Sequence, residues 1–167
     1  MPLYFAYGSN MDRTAMAVRC PASKPLGLAR LARHRFIVTR EGYASVFRDP
    51  RRTVWGVLWD VAFADMPALD RYERVASGLY VKLAQSVIAD RGARRALIYV
   101  GRSQGTGQPR PGYLEGVVAT AREAGLPADY VAEIEAWSPL IGTHQAANPA
   151  KPQVRPRWSS PLAKDGR

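Results

Sequence analysis

Apolar positions in this chain change period several times, and each change predicts an element. Residues 3–7 form a short apolar run that reads as a strand and leads into Gly8-Ser9-Asn10. A helix is predicted over 11–19, with Ser9 or Asn10 as its cap, and two prolines within 20–27 end it. Strand patterns follow at 35–39, 44–47 and 53–61. The last, TVWGVLWDV, is the most apolar run in the chain, and Gly56 in its middle signals a bulge or a close backbone approach. A short helix is predicted over 65–73 with Asp65 as its cap, then strands at 80–88 and 95–100 around the turn Asp90-Arg91-Gly92. The glycine- and proline-rich stretch 101–112 reads as a loop. Leu114, Val117, Val118 and Ala121 repeat at helical spacing, so a helix is predicted over 111–124. Gly125 ends it, and Pro127 opens another that carries Tyr130, Ile134 and Trp137 on one side.

About six strands, mostly consecutive and without regular βαβ alternation, favour the α+β class. The sheet is expected to be mixed or antiparallel and able to curl into a small barrel flanked by helices. Residues 1–144 read as one domain. From 145 onward there are four prolines, five basic residues and little apolar pattern, which predicts a flexible basic tail over 145–167.

Composition narrows the function classes. The 167 residues are 47% hydrophobic and 23% charged, a globular balance. One cysteine, Cys20, leaves no internal disulfide and no multi-cysteine metal site, and reads as a small buried hydrophobe. His34 and His144 lie far apart and neither begins a metal-spaced pair, so no metal is expected. No window is apolar enough to span a membrane, and the opening MPLYFAYGSN has no signal-peptide pattern, so a cytoplasmic protein is expected. The net charge of +10 suits anionic partners. Outside the tail, however, no Lys/Arg run exceeds two, so a nucleic-acid partner is not expected. The oligomeric state is not fixed, and a homodimer is allowed.

Two constellations carry chemistry. The first is Tyr7-Gly8-Ser9-Asn10, a strand running into a glycine turn and a helix start. Free amides there suit a small carboxylate or phosphate, although a plain capped turn meets the same spacing. Met11 in place of a second glycine excludes a Gly-x-Ser-x-Gly elbow, and the absence of Gly-Lys-Ser/Thr excludes a P-loop. The second is Glu73, which falls on one helical stripe with Met66 and Leu69. A carboxylate on an apolar stripe is either desolvated, with a pKa raised toward neutrality, or turned back toward solvent or Arg74. Tyr80, seven residues on, starts a strand from which its hydroxyl can approach that carboxylate.

Together these residues resemble the γ-glutamylcyclotransferase family. The resemblance lies in LYFAYGSNM at 3–11, ASVFRDP with VWGVLWDV at 44–61, LDRYERVASGLYV at 69–81 and PGYLEGVVATAREAGLPADY at 111–130. It implies a small mixed barrel and cleavage of a γ-glutamyl amide by internal cyclisation, giving 5-oxoproline and a free amine or amino acid without metal or organic cofactor. It also implies that Tyr7, Gly8, Ser9 and Asn10 hold the glutamyl head, that Glu73 moves protons and that Tyr80 positions the substrate. One departure stands out, since family members commonly place glycine after this glutamate, where this chain has Arg74. Arginine is not expected to take glycine's backbone angles. It is therefore expected to shift the turn, depress the pKa of Glu73, or meet an acidic leaving group. A second reading keeps the scaffold but makes it a non-catalytic module that binds a γ-glutamyl compound or carboxylate.

Overall fold

The computed structural model describes residues 1–103 and 105–138; the predicted tail and the domain boundary at 144 lie outside the described residues. Five strands, β1 (Leu3–Ala6), β2 (Lys24–Val38), β3 (Ala44–Asp60), β4 (Tyr80–Ala89) and β5 (Gly92–Gly101), close into a barrel in the order β1-β3-β2-β4-β5. All pairings are antiparallel except the closing one, where β1 runs parallel to β5 at Tyr4 and Leu97. Four helices, α1 (Arg13–Arg19), α2 (Met66–Tyr72), α3 (Tyr113–Glu123) and α4 (Ala128–Glu135), flank it, which makes the fold α+β as expected.

The strand count differs from the expected six because two predicted strands are one. Asp49-Pro50-Arg51-Arg52 looks like a break, but β3 runs through it. Between the pairs Ala32–Thr53 and His34–Arg48, these four residues stand opposite Arg33 alone. An enlarged, special bulge of this kind accommodates a proline, which has no N–H for the ladder. Strand β2 also begins earlier than the prolines suggest, at Lys24 opposite Asp60, with an irregularity between Pro25 and Gly27.

Buried positions fill the barrel and the space beneath the helices. Phe5, Leu31, Val54, Val57 and Ile98 belong to one continuous core with Leu114, Val117, Ala121 and Ile134 of α3 and α4. Gly56 marks a close approach, since a Cβ there would lie 2.2 Å from the Ala6 carbonyl oxygen across the β1–β3 pair. Among the described residues, no helix is long and apolar enough to cross a membrane.

The predicted cap of α1 is corrected, and that of α2 holds in position but not in bonding. Ser9 to Met11 form a single 3₁₀ turn, and Asp12 caps α1 by accepting from the amides of Thr14 and Ala15. Ser9 and Asn10 are thereby released from capping. Asp65 precedes α2, but its carboxylate accepts from Ala22 N at 3.0 Å and Ser23 Oγ at 2.7 Å, pinning the α1–β2 connection instead.

Candidate active site

The 3₁₀ turn leaves β1 beside the end of α2, and α3 packs against it. Tyr7 is buried, and its hydroxyl donates to the Tyr99 carbonyl of β5, which ties the exit of β1 to the barrel wall. At Gly8 an added Cβ would stand 3.3 Å from both Ala44 Cβ and the Tyr113 hydroxyl, so a side chain would crowd the turn against its neighbours. The amides of Met11 and Asp12 bond back to Gly8 and Ser9, whereas those of Ser9 and Asn10 donate to no backbone carbonyl among the described residues.

Glu73 sits at the C-cap of α2. The Arg74 amide bonds to Arg71 O and the Val75 amide to Asp70 O, the paired closure that ends many helices with a left-handed residue in between. That residue is Arg74, at φ 53°. The expectation for Arg74 is corrected here, because arginine adopts the angle glycine would supply and the turn keeps its form. The flanking hydrogen bonds hold it there, at a conformational cost of roughly 1–2 kcal/mol.

This turn presents the Glu73 carboxylate to the loop after β1. Asn10 Nδ2 donates to Glu73 Oε1 at 2.7 Å and lies 3.0 Å from the Tyr4 hydroxyl. Glu73 is half-buried, and its pKa is raised to about 7. Burial is the main cause. The Arg19 charge and hydrogen bonds with Asn10 and Tyr4 pull it back down, and Asp70 pushes it up. Arg74 is not among the main causes, and the net shift is upward, so the expected depression by Arg74 does not set this pKa.

Tyr80 shares the site, but its hydroxyl donates to the Ala44 carbonyl at 2.5 Å rather than approaching the carboxylate. Two adjoining hollows meet at Ser9, Glu73, Tyr80 and Tyr113. One extends to Tyr4, Tyr7, Gly8 and Asn10, and the other to Tyr43, Tyr72 and Leu79. Burial holds the phenols of Tyr4, Tyr7 and Tyr80 well above their usual pKa, so they act as neutral walls and donors.

The structure thus gathers the other five residues named from the sequence around the sixth, Glu73. It adds Tyr4, Arg19 and Tyr72, which sequence reasoning missed. Tyr4 was legible only as a strand residue, and no spacing rule links positions 19 and 72 to the loop. Cys20 is buried, and its thiol is pushed up to about 11 mainly by burial, in keeping with a packing role. No cluster of three metal-ligating side chains occurs among the described residues.

The chain is 30% identical to the human and bovine gamma-glutamylcyclotransferases over 148 residues, covering 82% of this chain and 79% of each relative. It belongs to the γ-glutamylcyclotransferase family. The AIG2-like family model matches residues 53–134. A solved gamma-glutamyl cyclotransferase superposes with TM-score 0.76 at 28% identity, over 87% of this chain and 93% of that one. The YkqA protein of Bacillus subtilis shares the fold alone, with TM-score 0.70 at 23% identity over 81% of this chain and 53% of its own. The protein is accordingly an enzyme of the cyclotransferase family, which sets aside the non-catalytic reading of the scaffold.

Proposed function

We propose that the protein cleaves γ-glutamyl amides by internal cyclisation, with Glu73 as the general acid and base. The observation that carries the reading is the Glu73 carboxylate, with a pKa near 7, hydrogen-bonded to Asn10 where two hollows meet. The glutamyl head occupies the hollow of Tyr4, Tyr7, Gly8 and Asn10, and the leaving group occupies the hollow of Tyr43, Tyr72 and Leu79.

The substrate's α-ammonium gives a proton to the Glu73 carboxylate and becomes a nucleophilic amine. That nitrogen attacks the γ-carbonyl carbon, forming the ring C–N bond and an oxyanion. The oxyanion collapses, the original amide C–N bond breaks and the departing nitrogen takes the proton from Glu73; the carboxylate then accepts the second proton of the ring nitrogen and passes it to the freed amine, which leaves as an ammonium. The carboxylate ends as it began, no water is consumed, and 5-oxoproline leaves with an amine or amino acid. A group with a pKa near neutrality suits both transfers. A folded glutamyl chain held by the loop supplies the orientation component of the rate. The open amides of Ser9 and Asn10 are donors for the α-carboxylate or the oxyanion. A cytoplasmic setting is part of this proposal.

The test is incubation of the protein with γ-glutamyl dipeptides, γ-glutamyl amines and glutathione, following 5-oxoproline. Formation from at least one member is expected, and folded protein silent across the panel would overturn the reading.

A further inference from the structure

The contacts that hold Glu73 run through a residue with no step of its own in the reaction. Two consecutive residues meet two others: the Ser9 hydroxyl lies 2.9 Å from that of Tyr72, and the Asn10 amide 2.7 Å from the Glu73 carboxylate. Half-buried Arg19, the last residue of α1, touches one member of each pair. Its guanidinium lies over the Tyr72 ring, 3.4 Å from the centroid, and its Nη1 donates to Asn10 Oδ1.

The bond to Asn10 decides which way the amide points. With its oxygen accepting from Arg19, the NH₂ faces Tyr4 and Glu73. Turned over, the amide would set NH₂ against a guanidinium and oxygen against a carboxylate, two repulsive contacts. We infer that Arg19 is a positioning residue, which fixes the Asn10 amide and through it the seat of Glu73 while making no contact with substrate. The inference rests on the assignment of Glu73 as acid and base. Planarity matters as well as charge, because a guanidinium stacks on a ring and donates from its edge at once, and an ammonium does not.

The groups that act on Glu73 from the surrounding elements are Arg19 of α1, Asp70 of α2 and Tyr4 of β1, with the phenols of Tyr7, Tyr80, Tyr99 and Tyr113 near enough to feel its charge. Arg19 supplies the cation among the causes that set the Glu73 pKa. Arg19→Lys and Arg19→Met therefore separate shape from charge.

The experiment uses the full chain, with folding checked by circular dichroism. It measures kcat and KM, the titration of the Glu73 carboxyl by carbon NMR, and the Asn10 side-chain amide resonances without substrate. Arg19→Lys is expected to lower kcat by about ten- to a hundredfold at similar KM. It should also shift the Asn10 amide signals and leave the Glu73 midpoint nearly in place. Arg19→Met is expected to lower kcat further and to move the midpoint above that of the wild type. A lysine variant with near-normal kcat and unmoved Asn10 signals would overturn the inference, as would a raised KM with kcat intact, which marks a substrate-binding residue. The two resonances need no turnover. If the wild type forms no 5-oxoproline while both signals respond as expected, the positioning role stands and the reaction assignment falls.

Discussion

Asn10 Nδ2 and Glu73 Oε1 lie 2.7 Å apart across 63 positions of sequence, joining the loop after β1 to the end of α2. This contact places a carboxylate of pKa about 7 against the loop. In the proposed reaction Glu73 must be ionised to take the first proton. The kcat/KM profile should therefore rise with pH through about 7 and be roughly tenfold below its plateau one unit lower. Glu73→Gln keeps an oxygen for Asn10 but cannot carry the proton. A loss of about a thousandfold in kcat with an unchanged circular dichroism spectrum is expected. Near-normal turnover in that variant would assign the proton transfers to another group.

The same raised pKa predicts a stability effect of definite sign. The folded protein holds the Glu73 proton up to about pH 7, whereas the unfolded chain releases it near the ordinary value of 4.5. Between these limits the native state binds more protons, so this group's contribution to stability falls as pH rises. Glu73→Gln removes the ionisation. Its thermal midpoint relative to wild type should be higher at pH 8 than at pH 5, and an equal offset at both would show that Glu73 has an ordinary pKa.

The order of elements was legible because apolar period and glycine or proline signals agree over most of the chain. The loop residues and Glu73 could be singled out as candidates because a strand-glycine-helix junction and an acid on an apolar stripe are local patterns, but those patterns left a plain capped turn open, and the family resemblance chose between the readings. Elements were misjudged where local signals competed with pairing. Asp49-Pro50 carries turn chemistry, but the β2 ladder on both sides holds the bulge within β3. Ser9 and Asn10 are good caps by type, but Asp12 offers its carboxylate to two helix amides and wins. The role of Arg19 had no local signature, because its partners are a ring and an amide brought to it by tertiary packing.

Arg74 tests the cost of the turn that presents Glu73. At φ 53° it bears a penalty of roughly 1–2 kcal/mol that glycine escapes. Glycine's greater unfolded-state freedom returns about 0.5–1 kcal/mol of that. Arg74→Gly should therefore stabilise by up to about 1.5 kcal/mol, seen as a thermal midpoint higher by up to about 5 °C. Turnover should be retained, because Arg74 is not among the main influences on the Glu73 pKa. A lower midpoint would mean that the arginine side chain contributes more contact energy than its backbone angle costs.

Tyr80 separates two ways of serving a site. Its hydroxyl donates to the Ala44 carbonyl at 2.5 Å, while the Ala44 amide donates to the Tyr113 hydroxyl at 3.1 Å. Ala44 is buried, so Tyr80→Phe leaves its carbonyl without this donor, at a cost of about 1–3 kcal/mol. The ring itself remains as a wall of both hollows. Chemical denaturation should show the loss of stability, whereas kcat/KM should fall by less than about tenfold at a temperature where the variant is folded. A hundredfold or greater loss with an unchanged pH profile would instead show that the hydroxyl leaves Ala44 and bonds the substrate during turnover.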